Sequence, residues 1–131
     1  MTIATDMSYL AEHEGAPCAG VHLIIDLKEV EPGILRDKQL IERVFRECVR
    51  VSGATLLHMH VHVFEQGGGI SGVAVLAESH ISVHTWPEIE FAAFDVFMCG
   101  KANPYACVDV LQSMLRPGRK TVTVHARGAD L

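Results

Sequence analysis

The sequence predicts an α+β fold, a two-layer α/β sandwich in which a mainly antiparallel sheet carries helices on one of its faces. Three observations predict it. Short β-branched or alternating segments outnumber helical ones, most follow one another through short turns, and two helical segments each have one apolar stripe. The 131 residues suit one compact domain, which we assign to residues 1–131.

The elements follow the order β-α-β-β-β-β-α-β. Residues 1–19 have no hydrophobic period and are expected to form a loose leader. A strand over 20–27 precedes a helix that begins after the N-cap Asp37 and ends at Gly53. Four strands come next, and Asn103 as N-cap with Pro104 at the first position then begins a second helix that reaches Leu115. The four strands and the last strand are predicted over 55–64, 72–77, 80–86, 91–98 and 120–126.

Composition and charge exclude several classes of partner. The formal net charge is -5 and no basic cluster is present, so we expect no nucleic-acid partner. No apolar run reaches the roughly 18 to 20 residues that span a bilayer, and the first residues lack a signal-peptide pattern. The four cysteines have no CxxC spacing, which favours reduced thiols. We therefore expect a cytoplasmic protein with no membrane partner.

The segment 55–64 alternates in polarity from residue 57 onward. This pattern predicts Leu57, Met59, Val61 and Val63 on one face of a strand, and His58, His60, His62 and Phe64 on the other. An HxH pair can chelate zinc or copper, so a non-enzymatic metal-binding module is one alternative function. Strand residues i and i+4 lie roughly 13 Å apart, so the three histidines need outside help to share one ion. We therefore expect no metal centre.

The densest run of reactive side chains is ESHISVHTWPE, residues 78–88. Taken alone, Ser79 is a turn residue or a hydrolase nucleophile, although the GxSxG pattern is absent. As a whole, the run closely resembles the processing-site segment of the bacterial and archaeal S-adenosylmethionine decarboxylases, small pyruvoyl enzymes of spermidine synthesis. The resemblance extends upstream through SGVAVLA from Ser71 and downstream through FDVFMCG at 94–100.

The resemblance implies how the chain processes itself. Ser79 attacks the carbonyl of Glu78 and converts the peptide bond into an ester by an N-to-O acyl shift. Removal of the serine α-proton, loss of the ester by β-elimination and hydrolysis leave a pyruvoyl group and ammonia. Residues 1–78 and 79–131 then stay associated as two chains. His84 matches the family's processing base, and Ser71 matches the residue that assists processing. We expect the five-residue step to let His84 fold back toward Ser79.

The same resemblance implies the mature site. Its cofactor is the covalent pyruvoyl group derived from Ser79, which accepts the electrons released on decarboxylation. Cys99 matches the proton donor. Phe64 matches an aromatic residue that stacks on the adenine of S-adenosylmethionine, and Trp86 and Glu78 complete the expected substrate site. Two cleaved protomers are implied to pair, with a site near their interface.

The chain departs from the family's pattern in two places. After HTWPE it has Ile89-Glu90-Phe91, where an aromatic-Gly-aromatic stretch is common, and the loop before Ser71 has one additional glycine. A carboxylate such as Glu90 suits a distal ammonium or guanidinium. A pyruvoyl-dependent ornithine or arginine decarboxylase is therefore the alternative substrate assignment.

Overall fold

A computed structural model describes residues 10–129. The helices in this range are α1 (Pro32–Leu35), α2 (Lys38–Ser52) and α3 (Ala106–Leu115), and a 3₁₀ turn covers Pro87–Ile89. The strands are β1 (Ala11–His13), β2 (Ala16–Cys18), β3 (Gly20–Lys28), β4 (Leu56–Val63), β5 (Ile70–Leu76), β6 (Ser79–Trp86), β7 (Phe91–Met98) and β8 (Arg119–Arg127).

Six of these strands form one antiparallel sheet in the order β4-β5-β6-β7-β3-β8. Strands β4 to β7 follow one another as hairpins, whereas β3 lies between β7 and β8. The α+β fold with a mainly antiparallel sheet is therefore confirmed. The first and last predicted strands become neighbours, paired from Gly20↔Arg127 to Lys28↔Arg119.

The helices cover one face of this sheet. The side chain of Asp37 accepts a hydrogen bond from the backbone N–H of Leu40 at 3.0 Å, and Gly53 ends α2 with φ +80°, as predicted. The buried stripe of α2 packs in one hydrophobic core with alternate residues of the central strands. These buried residues include Ile41, Val44, Phe45 and Cys48 of the helix, and Leu23, Ile25, Ile81, Phe94 and Val96 of the sheet.

The opposite face of the sheet, here called the free face, has no layer over it in the described residues. Its side chains form three cross-strand rows, which follow from the strand registers. Seven of the eight histidines lie on it, because every histidine of β3, β4, β6 and β8 occupies an outward position. The first row is His62, Ser71, His84, Ala93, Asp26 and Thr121; the middle row is His60, Val73, Ser82, Asp95, Ile24 and Thr123; the third row is His58, Val75, His80, Phe97, His22 and His125.

The prediction that Leu57 lies on the core face of β4 is wrong. The register moves from Leu56↔Leu76 directly to His58↔Val75, so Leu57 is the additional residue of a β-bulge. A bulge reverses the alternation locally, because two residues oppose one. Leu56 consequently packs on the core, and Leu57 is 64% exposed.

Two boundaries also differ from the prediction. Residues 11–18 form the β1–β2 hairpin instead of a loose leader, and Ala11 and Cys18 are buried in the core; the start of that leader lies outside the described residues. Helix α3 begins at Ala106, because Asn103 caps a preceding turn: its side chain accepts from the N–H of Tyr105, and its carbonyl accepts from that of Ala106.

None of the helices between residues 10 and 129 is long and apolar enough to cross a membrane.

Candidate functional site

Ser79 lies at the end of the hairpin that connects β5 and β6. It is the first residue of β6, is 8% exposed, and its Oγ accepts a hydrogen bond from the backbone N–H of Cys99 at 3.2 Å. The preceding turn residue, Glu78, has φ +61°, a left-handed conformation that is unfavourable for a residue with a side chain. The structure thus brings Glu78, Ser79 and Cys99 together at one end of the sheet, here called the serine–thiol group.

The thiol of Cys99 is tuned by this environment. Burial is the largest cause that raises its pKa, and electrostatic repulsion from Glu78 and, less strongly, from Cys18 raises it further. The thiol is therefore held in its protonated form near neutral pH, as a proton donor requires. The other three cysteines, Cys18, Cys48 and Cys107, are buried. Hydrogen bonding to Cys107, followed by burial, raises the pKa of Cys48, which makes this thiol unreactive.

Ser71 and His84 form a second group at the other end of β6, here called the serine–imidazole pair. They are direct cross-strand partners, and Ser71 Oγ lies 2.9 Å from His84 Nδ1. Because β5 begins at Ile70, Ser71 is a strand residue and not a turn serine. A hydroxyl bonded to an imidazole can exchange a proton with it, which is the arrangement that acid–base chemistry needs.

The two groups are far apart within one chain. Strand β6 is continuous from Ser79 to Trp86, so five residues place Ser79 and His84 about 17 Å apart along the strand. An odd separation also sends their side chains to opposite faces of the sheet. The expected fold-back of His84 onto Ser79 is therefore wrong, because an extended strand cannot make the turn that it needs.

The predicted aromatic residues flank the serine–imidazole pair. Trp86 stacks on Phe91 with ring centroids 5.3 Å apart, and Phe64 is 49% exposed at the end of β4. Together they border a recess of about 200 Å³ beside Ser71 and His84. Its lining is Phe64, Gln66, Gly69, Ile70, Ser71, His84, Thr85, Trp86 and Glu88. Phe64 and Trp86 thus lie with the serine–imidazole pair, whereas Glu78 lies with the serine–thiol group.

Sequence reasoning missed two features of the free face. The ring of His62 meets Phe64 edge-on, with centroids 4.7 Å apart. His22 Nε2 lies 2.9 Å from Asp95 Oδ1, and Arg127 contacts His22 Nδ1 at 3.4 Å. Because a guanidinium only donates, Nδ1 is the acceptor there and Nε2–H donates to the carboxylate. Strict alternation places these residues on one face, but only the strand order brings β3 beside β7.

The histidines of β4 do not form a metal centre with their neighbours. No group of three histidine, cysteine, aspartate or glutamate side chains within residues 10–129 is arranged to hold a metal ion. The metal-binding alternative therefore gains no geometric support from this part of the chain.

The fold and these two groups define an α+β protein that holds a hydroxyl, a thiol and a hydroxyl–imidazole pair on adjoining strands of one sheet. A family profile described as S-adenosylmethionine decarboxylase matches residues 21–128. The S-adenosylmethionine decarboxylase proenzyme of Thermomicrobium roseum is 41% identical over 110 residues, which cover 83% of this chain and 93% of that protein. The proenzyme of Pyrobaculum aerophilum is 41% identical over 109 residues, covering 82% and 87%.

A solved structure agrees with these relatives. The crystal structure of the adenosylmethionine decarboxylase from Aquifex aeolicus matches with a TM-score of 0.75 and 34% identity, covering 83% of this chain and 90% of that one. The chain belongs to the S-adenosylmethionine decarboxylase family. The predicted membership of this family is thereby confirmed.

Proposed function

We propose that this protein cleaves itself between Glu78 and Ser79, and that the resulting pyruvoyl enzyme decarboxylates S-adenosylmethionine for spermidine synthesis. The observation that carries the proposal is the placement of Ser79 directly after a strained turn residue and within hydrogen-bonding reach of Cys99. The names of the family and of its relatives support the substrate. The free thiols of all four cysteines support a cytoplasmic, reducing location.

The proposed cleavage needs no outside reagent except water. Ser79 Oγ attacks the Glu78 carbonyl carbon, the C–N bond breaks, and its nitrogen takes the hydroxyl proton. A base then removes the Ser79 α-proton, and the Glu78 carboxylate leaves with the electrons of the C–O bond. Water releases ammonia from the remaining enamine and leaves the ketone. Residues 1–78 and 79–131 stay packed together as one domain, because β5 and β6 pair along their length across the cut.

The base for this step cannot be His84 of the same chain. His84 is the family's matching residue, yet it lies about 17 Å along β6 from Ser79 in the same chain. We therefore propose that His84 and Ser71 of a second copy complete each serine–thiol group. Self-complementary pairing of this kind is the usual geometry of a two-fold dimer, in which one patch contacts another and the reverse.

The rows of the free face fit such a pairing. The midpoint between Ser79 and His84 falls near Ser82, in the middle row. If two free faces meet around a two-fold axis along that row, the first row of each copy lies over the third row of the other. His84 of each copy then lies over the end of the other copy's β6 at which the backbone of Ser79 begins, while the Ser79 side chain itself points to the core side. Exposed apolar side chains on this face, such as Ile24 at 40% and Val75 at 41%, would be covered by the same contact.

The residues present suit a ketone at position 79. A pyruvoyl group at this position would supply a carbonyl for the substrate amine and an acceptor for the electrons released with carbon dioxide. The backbone N–H of Cys99 contacts Ser79, and the protonated thiol of the same residue is the proposed source of the proton that returns to the substrate α-carbon. The recess beside Phe64 and Trp86 offers aromatic faces for an adenine and for a cationic sulfonium.

A second substrate assignment rests on Glu90. This residue lines a recess of about 410 Å³ beside Phe91, together with Asp26, Glu29, Lys28 and Arg119. Glu29 is already paired with Arg119 at 2.7 Å, which leaves the carboxylates of Asp26 and Glu90 beside the aromatic ring for an ornithine ammonium or an arginine guanidinium. A carbon-dioxide release assay that offers S-adenosylmethionine, ornithine and arginine side by side separates the two assignments. We expect turnover of S-adenosylmethionine; turnover of ornithine or arginine alone would replace our substrate assignment.

Intact-mass spectrometry tests the cleavage. Wild-type protein should consist of residues 1–78 and a pyruvoyl-capped 79–131, and Ser79→Ala and His84→Ala should each remain uncut. A single uncut wild-type chain would overturn the proposal.

Co-expression of these two variants tests the composite site. In mixed dimers the His84→Ala chain supplies Ser79 and the Ser79→Ala chain supplies His84, so one complete site returns. With random pairing about half of the dimers are mixed, and about a quarter of all chains should be cut. Absence of cutting in the mixture, with dimers present by light scattering, would contradict the two-chain site.

A further inference from the structure

Thr85 has a buried hydroxyl that is fully used. It is 6% exposed, and its Oγ1 accepts from the backbone N–H of Ile70 at 2.8 Å and donates to the carbonyl of Leu35 at 2.8 Å. The single hydroxyl therefore joins the start of β5, the end of β6 and the end of α1. Neither backbone group has another partner among the turn, loop and cap hydrogen bonds of the described residues.

This hydroxyl lies one residue away from the serine–imidazole pair on both strands. Ile70 directly precedes Ser71, and Thr85 directly follows His84. The paired register of β5 and β6 begins at Ser71↔His84 on this side, so beyond it the side chain of Thr85 links the strands. Because side chains alternate, Thr85 acts from the core side while Ser71 and His84 point to the free face.

The same contact also anchors the loop between Phe64 and Ser71. A Cβ at Gly69 would lie 2.9 Å from the carbonyl oxygen of Thr85, so this loop runs against β6 more closely than a side chain would allow. Gly69 in turn accepts a hydrogen bond from the N–H of Phe64 at 2.8 Å. Next to Leu35, Arg36 donates from Nε to the Gly67 carbonyl at 2.9 Å. The end of α1 thus holds the loop from both sides.

We propose that Thr85 is a positioning residue that sets the distance between Ser71 and His84. The proposal rests on the proposed function, in which that pair assists cleavage. Without the hydroxyl, the N–H of Ile70 and the carbonyl of Leu35 both lose this partner in a buried place, and the two strand ends are expected to move apart to admit water. A shift of about 1 Å at a reacting group can cost roughly 100-fold in rate.

The test compares three variants of Thr85 with a matched control. Thr85→Val keeps the shape and loses the hydroxyl, Thr85→Ser keeps the hydroxyl, and Thr85→Cys keeps a weaker donor. The control is Ser52→Ala, because Ser52 is also a buried hydroxyl (4% exposed) that joins two backbone groups, Val49 O and Ala54 N, at the far end of α2. Self-cleavage is timed by intact mass, on folded protein recovered by size-exclusion chromatography.

We expect Thr85→Val to slow cleavage roughly 10- to 100-fold, with Thr85→Cys between Thr85→Val and wild type and Thr85→Ser within about threefold of wild type. Ser52→Ala should cleave at the wild-type rate. If Thr85→Val is not recovered folded, the cleavage rates of Thr85→Ser and Thr85→Cys decide: wild-type rates for both overturn the role. Equal slowing by Thr85→Val and Ser52→Ala also overturns it, because loss of any buried hydroxyl would then suffice.

A second measurement does not need the enzyme to be active. In the uncleavable Ser79→Ala chain, the ring nitrogens of His84 are followed by ¹⁵N NMR, which reports the Ser71 hydrogen bond. Thr85→Val should shift the Nδ1 resonance, and Ser52→Ala should not; unchanged His84 signals overturn the positioning role. Failure of wild-type protein to cleave at all refutes the proposed function instead, so the two failures are seen in different experiments.

Discussion

Relief of backbone strain at Glu78 should both stabilise the uncut chain and slow its cleavage. The turn is held on both sides, because Leu76 pairs with Ser79 and the N–H of Ala77 donates to the Thr55 carbonyl at 2.9 Å. The left-handed φ of +61° costs a non-glycine residue about 1 to 2 kcal/mol. Glycine removes that cost but loses about 0.5 to 1 kcal/mol through its freer unfolded chain.

The net expectation for Glu78→Gly is a stabilisation between about 0 and 1.5 kcal/mol, and the middle of that range, about 0.75 kcal/mol, corresponds to a rise in Tm of roughly 2 to 4 °C. Cleavage would release the same strain, because Glu78 becomes a free chain end. If the left-handed conformation of Glu78 is already released in the transition state, Glu78→Gly slows self-cleavage roughly two- to fivefold. Chemical denaturation in the Ser79→Ala background gives the stability, and intact mass gives the rate.

Two controls separate strain from charge and from general stabilisation. Glu78→Gln keeps the strained backbone and removes only the charge. Glu14→Gly relieves a similar φ of +52° in the β1–β2 turn, away from the cut, and should stabilise the chain without changing its cleavage. If Glu78→Gly gains no stability and cleaves as fast as Glu78→Gln, the turn stores no strain that cleavage uses.

The other groups of the site give three further predictions. Cys99→Ala should still self-cleave but decarboxylate roughly 100-fold or more slowly, measured as carbon-dioxide release; full activity would remove the thiol from proton donation. In the Ser79→Ala chain, Glu78→Gln should lower the pKa of Cys99, because a negative charge that opposes the thiolate is gone. Iodoacetamide labelling should then begin at lower pH, and an unchanged profile would refute that electrostatic contact. Phe64→Ala should raise KM for S-adenosylmethionine roughly tenfold through lost stacking, with self-cleavage unchanged; an unaltered KM contradicts the adenine assignment.

Local patterns predicted those parts of the fold that depend on neighbours in sequence. Asp37 and Gly53 bound α2 because capping and a left-handed C-terminal residue act within one turn. The bulge at Leu57 was not predictable in this way, because it depends on which residue of β5 lies opposite. The β1–β2 hairpin was not predicted because its strands have only three residues each, too few to show a hydrophobic period.

The candidate site was predicted as a set of residues, but its arrangement was not. The resemblance singled out Ser79, His84 and Cys99 from their positions in the matched segments, and a sequence motif does not show how far apart its side chains lie in the fold. The strand order then brings Cys99, twenty residues from Ser79, to within a hydrogen bond of it. His84, only five residues away, is carried to the other end of β6.

That contrast has a physical consequence for any two reactive residues on one strand. An extended chain advances about 3.4 Å per residue, so two residues of one strand that are several positions apart cannot touch. Cross-strand partners in a hairpin, by contrast, lie close together however many residues separate them in sequence. Ser71 and His84 meet because they are cross-strand partners, and Ser79 and Cys99 meet because β6 and β7 are adjacent. A motif that holds a nucleophile and its expected base five residues apart on a continuous strand is therefore a reason to test for a second chain, because a copy that lies antiparallel brings the opposite end of its own strand to the nucleophile.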